Sequence, residues 1–255
     1  MEFGVVTVAS AIGVVCVQLV TYAAYRRTGR YNVVDVTWGP GFVVVAAVAG
    51  IVAGGDPVRR WLLFGLTAVW GLRLGWHMYV RTKGKGEDPR YAELLDGASP
   101  AAAVRKVFVT QGGAQWFVSL PIQVSAVVTG GGWVPVLVVG VVLWGVGFAF
   151  EAVGDRQLAA FKADESRRGT ILDTGLWAWT RHPNYFGDAS VWWGIWLVAA
   201  SAWPGVVTVL SPAAMTYFLV FATGARLLEK SMAQRPGYSE YQRRTSYFLP
   251  RPPRR

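Results

Sequence analysis

Residues 174–193, TGLWAWTRHPNYFGDASVWW, join a polar loop to an apolar segment fit for a bilayer. Pro183 fixes its own φ and disfavours a helical conformation at His182, so the loop is predicted to end at His182 and a helix to begin at Pro183. The start of such a helix offers N–H groups and a positive dipole end, which suit an anionic or dipolar ligand group. The alternative is a turn beside the membrane, where Arg181 and His182 face lipid phosphates.

Apolar residues make up 53% of the 255-residue chain and gather into long runs. Because a hydrocarbon core of ~30 Å requires about 20 helical residues, these runs predict an all-α integral membrane protein with about seven transmembrane helices. The predicted spans are 4–24, 33–54, 61–79, 105–128, 133–153, 186–203 and 206–226. The first run lacks a basic leader and a small-residue cleavage site, so it is interpreted as a span and not as a cleavable signal.

The loops between these spans alternate in charge. Most of the 25 Lys and Arg residues follow the first, third, fifth and seventh spans, whereas the other side has only Arg59 and Arg60. The positive-inside rule places the basic loops in the cytoplasm, which predicts an outside N-terminus and a cytoplasmic C-terminus. The same distribution assigns the net charge of +10 to membrane topology, so membrane lipids and not nucleic acids are the expected partners.

Ionisable residues inside spans are costly and by default mark function. In this chain they cluster towards the cytoplasmic halves of five spans, at Asp35, Arg73, His77, Glu151, Asp155, Asp188, Arg226 and Glu229. One interpretation is a ring of ion pairs that holds the bundle together, and the other is a polar pocket open to the cytoplasm. Two His and one Cys, none in ligand spacing, argue against a transition-metal site.

Two other stretches carry predictions. The fourth span is expected to kink at Pro121. It places Gln111, Gln115, Ser119 and Gln123 on one inward face, for interhelical hydrogen bonds or for substrate contact. The C-terminal tail from Arg235 is too rich in aromatic residues for a solvating segment, so a short helix there is expected to dock on the rest of the protein.

Three stretches carry a family resemblance: EAVGDRQLAAFK (151–162), TGLWAWTRHPNYFGD (174–188) and RPGYSEYQRRTSYFLPRPP (235–253). Together they resemble the membrane steroid 5α-reductase family, and in particular its bacterial branch. The RHPxYxG core also resembles the isoprenylcysteine carboxyl methyltransferases. The resemblance implies a seven-helix fold in the bacterial cytoplasmic membrane, with a cofactor held in the cytoplasmic half.

The resemblance also implies roles for individual residues. Asn184 matches an Asn that the reductases place near the nicotinamide, and Asp155 matches an Asp on the preceding helix. Glu151 departs from the family Asn one turn earlier, and Lys162 stands where the family has a phosphate-contacting Arg. These matches favour NADPH over S-adenosylmethionine. The cofactor-binding candidates are Arg73, Arg81, Glu151, Asp155, Lys162, Arg168, Arg181, His182, Asn184, Tyr185, Asp188, Lys230, Tyr238 and Tyr241.

On the substrate side the chain departs from the family. The reductases polarise a 3-keto group with a Glu on the second helix and a Tyr on the third, and here Trp38 and Trp70 stand at those positions. Asp35, one turn before Trp38, is expected to replace the Glu as a protonated donor. The catalytic candidates are therefore Asp35, Trp38 and Trp70.

The expected function is NADPH-dependent reduction of a lipophilic enone that enters from the bilayer. Residues 1–128 are expected to form the substrate side of a single membrane domain, and residues 129–255 the cofactor side. One alternative is an S-adenosylmethionine-dependent methyltransferase that acts on a lipid or prenyl carboxylate. Another is a lipid-binding membrane protein without catalysis.

Overall fold

The computed structural model describes residues 2–222 and 224–253, and within this range helices and loops account for the chain apart from one isolated bridge. The α-helices are α1 (Glu2–Thr28), α2 (Val33–Val52), α3 (Pro57–Thr82), α4 (Pro89–Leu94), α5 (Pro100–Val104), α6 (Thr110–Val118), α7 (Leu120–Ala126), α8 (Val134–Ala163), α9 (Pro183–Ala200), α10 (Leu210–Tyr217), α11 (Ala225–Met232) and α12 (Tyr238–Arg244). A turn of π-helix at Arg105–Val109 leads directly into α6, and another at Phe218–Ala222 directly follows α10. The prediction of an all-α protein is confirmed.

Four helical stretches within the described residues are long and apolar enough to cross a membrane: Glu2–Thr28, Val33–Val52, Val134–Ala163 and Gly205–Met232. They coincide with the first, second, fifth and seventh predicted spans. The other three predicted spans are also helical, but α3 contains four arginines and the fourth region is divided into shorter helices. Membrane character is therefore supported, while the total of seven and the orientation stay predictions.

The fourth predicted span bends where Pro121 requires it. The helix α6 ends at Val118, Ser119 leaves the helical conformation, and Pro121 lies in the first turn of α7. Since proline cannot donate a backbone hydrogen bond, a helix restarts there more easily than it continues. The expected kink is confirmed, as a break between two short helices.

The polar face of this region is buried and bonded to neighbouring helices. Gln18 of α1 donates to Gln115 Oε1 at 2.8 Å, and Thr7 donates to Gln123 Oε1 at 2.7 Å. Gln123 Nε2 donates in turn to Ser119 Oγ at 2.8 Å. These partners favour the interhelical interpretation over substrate contact, because the side chains satisfy one another inside the protein.

The chain forms two compact units, which consist of the residues up to Leu137 with Val198–Ser211, and of Val138–Leu197 with the residues from Pro212 onward. In the first unit α2 and α3 cross at two glycines. A Cβ atom at Gly39 would lie 2.3 Å from the carbonyl oxygen of Gly71, so no larger residue fits at this crossing. The absence of side chains there allows the two backbones to touch.

In the second unit α8 and α9 run antiparallel along a seam of glycines. Gly140, Gly147 and Gly154 recur every seventh residue on the buried face of α8. Gly187 and Gly194 have the same spacing on α9, and a Cβ atom at Gly187 would lie 2.4 Å from the backbone nitrogen of Glu151. We call this contact the glycine seam. It sets the register that brings the start of α9 beside the second half of α8.

Candidate functional site

The loop that precedes α9 is fixed on both sides of His182. The helix begins at Pro183 as the sequence predicts, and the His182 carbonyl accepts from Phe186 N at 3.0 Å. Thr180 Oγ1 accepts from His182 N at 3.3 Å and donates to the carbonyl of Phe248 at 2.9 Å. The RHP motif is thus held in an extended segment before the helix begins.

Glu229 of α11 binds both Arg181 and His182 of this motif. Arg181 donates from Nε to Glu229 Oε1 at 2.8 Å and from Nη2 to Oε2 at 3.1 Å, a bidentate pair. His182 Nε2 lies 3.0 Å from Oε1. Because a carboxylate can only accept, this nitrogen must carry the proton.

Two residues of α12 complete the shell of this carboxylate. Tyr238 OH donates to Glu229 Oε1 at 2.7 Å, and Gln242 Nε2 donates to Oε2 at 2.6 Å. We call Arg181, His182, Glu229, Tyr238 and Gln242 the Glu229 cluster. Three of its members are predicted cofactor ligands, whereas the central acid is absent from the predicted site. The cluster ties the motif, α11 and the tail helix together.

The tail contacts the 177–181 segment. Tyr241 OH donates to the Trp177 carbonyl at 2.6 Å, and Arg181 N donates to the Ser246 carbonyl at 2.9 Å. Burial raises the pKa of Tyr241, and burial together with the bond to Glu229 raises the pKa of Tyr238. Both phenols therefore keep their protons at neutral pH and act as donors.

Asn184 lies beside Asp155 at the Pro183 end of the glycine seam. Its Nδ2 donates to Asp155 Oδ1 at 3.2 Å, and its Oδ1 accepts from Tyr185 N at 3.1 Å. Asp155, Glu151 one turn earlier on α8, and Asp188 one turn later on α9 are all at least nine-tenths buried. The spacing of four in each helix thus places an amide and buried acids of two helices at one end of their contact.

The remaining candidates are distributed over both units. Lys162, Arg168 and Lys230 are exposed in the second unit. Tyr185 stacks at 5.8 Å, between ring centroids, on His182. Arg73 and Arg81 belong to the first unit, in the second half of α3.

In the first unit Asp35 pairs with two residues from α4. Tyr91 OH donates to Asp35 Oδ1 at 2.6 Å, and Arg90 Nη2 lies 3.3 Å from Oδ2. Both carboxyl oxygens of Asp35 are thus bonded, and Asp35 orients the phenol of Tyr91, a residue absent from the predicted site. Burial, and then the charge and hydrogen bond of Asp35, raise the pKa of Tyr91.

The two tryptophan candidates pack around Phe42. The Trp38 ring meets Phe42 edge to face at 5.0 Å between centroids, and Trp70 lies 5.8 Å from Phe42. Trp70 is fully buried, while Trp38 is partly exposed.

Known proteins resemble this chain at the level of a family. Residues 21–245 match the model of a protein family of unknown function, DUF1295. Over 79 residues the chain is 33% identical to an uncharacterised protein of Schizosaccharomyces pombe, a match that covers 31% of this chain and only 23% of the yeast protein. No solved structure matches the chain significantly. Since the family model spans most of the sequence, the chain belongs to the DUF1295 family, which is associated with steroid 5α-reductase-like membrane proteins.

Proposed function

We propose that the protein is a membrane reductase that uses NADPH to reduce the C=C bond of a lipophilic enone. The observation that carries the proposal is the orientation of Asn184 by Asp155, at 3.2 Å, beside the first turn of α9. A carboxamide has two N–H donors and two acceptor sites on its oxygen. One donor binds Asp155 and one acceptor site binds Tyr185 N, so a donor and an acceptor remain to recognise the amide of a nicotinamide.

The face of α8 that leads away from Asn184 fits a dinucleotide better than S-adenosylmethionine. Glu151, Asp155 and Lys162 share this face, and Glu151 and Lys162 are roughly 16 Å apart along the helix axis. The buried acids can accept from ribose hydroxyls, and exposed Lys162 and Arg168 can bind phosphates. S-adenosylmethionine carries no phosphate and would leave the cationic end unused. When bound, NADPH would supply the hydride.

For the substrate carbonyl, the first unit offers one oriented phenol. Asp35 fixes the hydroxyl of Tyr91, whose raised pKa keeps the proton in place. In this proposal Tyr91 takes the donor role that the sequence gives to Asp35, and Asp35 becomes its positioning residue. If the Tyr91 hydroxyl donated its hydrogen bond to the substrate carbonyl oxygen in place of Asp35, it would stabilise the enolate that develops as the β-carbon is reduced.

The test compares cofactors by thermal unfolding of the purified protein. A ligand at 100 times its Kd stabilises a folded protein by about 2.7 kcal/mol, so NADPH is expected to raise the unfolding temperature by several degrees. Asn184→Ala should weaken this effect, whereas Gln234→Ala, which removes an exposed amide outside the site, should not. Normal NADPH binding by Asn184→Ala would refute the placement of the nicotinamide.

The same experiment separates the alternatives. Stabilisation by S-adenosylmethionine and not by NADPH would identify a methyltransferase. Stabilisation by neither would leave a lipid-binding protein without catalysis.

A further inference from the structure

A cavity of about 340 Å³ lies at the end of α12 and along the tail that follows it. Its wall includes Arg181, Arg243, Arg244, Ser246 and Arg251, all of the second unit, and we call it the tail pocket. Small-molecule sites have volumes of roughly 300–1,000 Å³. The tail pocket is therefore large enough for a small ligand or a headgroup.

The charge of Arg181 in the tail pocket is already balanced within the protein. Arg181 pairs with Glu229, and its Nη1 donates to the carbonyls of Gln242 (3.2 Å) and Thr245 (2.7 Å). These bonds cap the carboxyl end of α12, whose partial negative charge would otherwise oppose an anion. Arg181 thus shapes the pocket without itself being available to a ligand.

Three further arginines line the tail pocket, and no carboxylate is among the described residues that line it. Arg243 pairs with Glu240 and Arg244 with Asp173, in ion pairs whose arginine side chains are 70% and 45% exposed. Such exposed pairs contribute little, so an anionic ligand can replace them. Arg251 N donates to the Trp179 carbonyl at 3.0 Å, which fixes the position of Arg251 on the wall.

The chemistry of this wall selects for phosphate over carboxylate. A phosphate group presents three oxygens and up to two negative charges at neutral pH, and each guanidinium can bind two oxygens. A carboxylate has two oxygens and one charge, and would satisfy a single guanidinium. We propose that the tail pocket binds the phosphate group of a ligand, either a soluble phosphorylated molecule or an anionic phospholipid headgroup.

The first experiment measures phosphate binding by thermal unfolding of the full-length protein in phosphate-free, non-ionic detergent. Inorganic phosphate and adenosine 2′-monophosphate are titrated at constant ionic strength. The Arg244→Gln/Arg251→Gln variant should lose affinity for both ligands tenfold or more. The control variant, Arg27→Gln/Arg235→Gln, loses the same charge from exposed positions outside the pocket and should bind like the wild type.

The second experiment identifies the source of the phosphate, in nanodiscs of phosphatidylcholine with or without phosphatidic acid. If the occupant is a lipid headgroup, phosphatidic acid should stabilise the wild type and the control but not the pocket variant. If the occupant is a soluble molecule, adenosine 2′-monophosphate should stabilise the protein in both kinds of nanodisc, and phosphatidic acid should have no effect.

Equal responses of the pocket variant and the control to every probe would overturn the proposal, as would the absence of any response in the wild type. The pocket variant and its control both keep Lys162 and Arg168, so adenosine 2′-monophosphate bound at the proposed cofactor site would affect the two equally. A difference between them therefore reports the tail pocket, whether or not the protein is a reductase.

Discussion

Glu229 is the side chain on which the geometry of the RHP motif depends. It accepts from Arg181, His182, Tyr238 and Gln242, and its side chain is only 13% exposed. Removal of the acid would leave the guanidinium of Arg181, itself 10% exposed, without its counter-charge. Breaking a buried ion pair in this way is strongly destabilising.

We therefore expect Glu229→Ala to lower the free energy of unfolding by about 3–5 kcal/mol and to release the tail. Glu240→Ala breaks a pair with Arg243 that is exposed on both sides, and should cost at most about 1 kcal/mol. Thermal unfolding measures both changes, and limited proteolysis of the tail reports its release. Equal effects of the two substitutions would show that the Glu229 cluster is not a stabilising centre.

Tyr91→Phe tests the pair with Asp35 directly. A typical hydrogen bond contributes roughly 0.5–1.5 kcal/mol, so Tyr91→Phe should lose about that much stability, and it should reduce substrate more slowly if Tyr91 binds the substrate carbonyl. Tyr79→Phe, at an exposed position on α3, serves as the control and should change neither. Wild-type stability in Tyr91→Phe would show that the hydroxyl contributes nothing.

The raised pKa of Tyr91 gives this pair a pH dependence of defined sign. A phenol whose pKa is higher in the folded protein contributes stability that is fully present below its unfolded value of about 10 and lost as the pH rises above it. The unfolding temperature should therefore fall above about pH 10, and less steeply in Tyr91→Phe. A residual fall is expected, since Tyr31, whose pKa is raised to about 12 by its bond to Tyr25 and by burial, titrates there as well.

Residues of the site that lie close together in sequence were predictable. The helix start at Pro183 follows from the restrictions that proline imposes, and the Glu151–Asp155 pair follows from helical spacing. The roles of Glu229 and Tyr91 could not be predicted, because Glu229 is 48 positions from Arg181 and Tyr91 is 56 positions from Asp35. A spacing rule reaches one or two helical turns, whereas these contacts depend on tertiary packing.

At the scale of the elements, the glycine seam determines where Asn184 meets Asp155. A methyl group at Gly187 would collide with the backbone of Glu151, so the two helices would have to separate or shift. Overpacking of this kind costs about 1–3 kcal/mol, and we expect Gly187→Ala to lose that stability. Since the shift separates Asn184 from Asp155, NADPH binding should weaken too.

Gly145→Ala provides the matched control on α8, because its added Cβ meets no atom within 4 Å. Alanine favours a helix over glycine by up to about 1 kcal/mol, so this change should be neutral or slightly stabilising. Unfolding temperature and NADPH affinity are measured for both variants. If Gly187→Ala matched the wild type in unfolding temperature and NADPH affinity, the glycine seam would tolerate a wider separation of α8 and α9.

The predicted and observed helix boundaries differ where a helix continues beyond its apolar part. The fifth predicted span ends at 153, yet α8 continues to Ala163. Hydropathy finds the membrane-compatible part, while the polar continuation RQLAAFKA consists of good helix formers. This extension is functionally relevant, since it carries Asp155 and Lys162 on one rigid helix.

At the scale of the whole molecule, a charge at the edge of a span need not face water. Arg59, expected in an outer loop, is buried within α3. It donates to Ser125 Oγ at 2.9 Å and to the carbonyls of Val128 and Gly130 at 2.7 and 3.1 Å. These bonds satisfy carbonyls beyond the end of α7. Counting charges therefore underestimates how well α3 can be accommodated in a bilayer.

The span count and orientation can be tested by cysteine labelling in cells, after Cys16→Ser removes the sole native thiol. Lys85→Cys, Gly131→Cys and Ser166→Cys place single thiols at exposed loop positions before the fourth predicted span, between the fourth and fifth, and after the fifth. The positive-inside rule predicts that a membrane-impermeant maleimide labels only Gly131→Cys in intact cells. The other two should react after permeabilisation. Equal labelling of Lys85→Cys and Gly131→Cys in intact cells would show that the divided helices of the fourth region do not cross the membrane, and would reduce the count below seven.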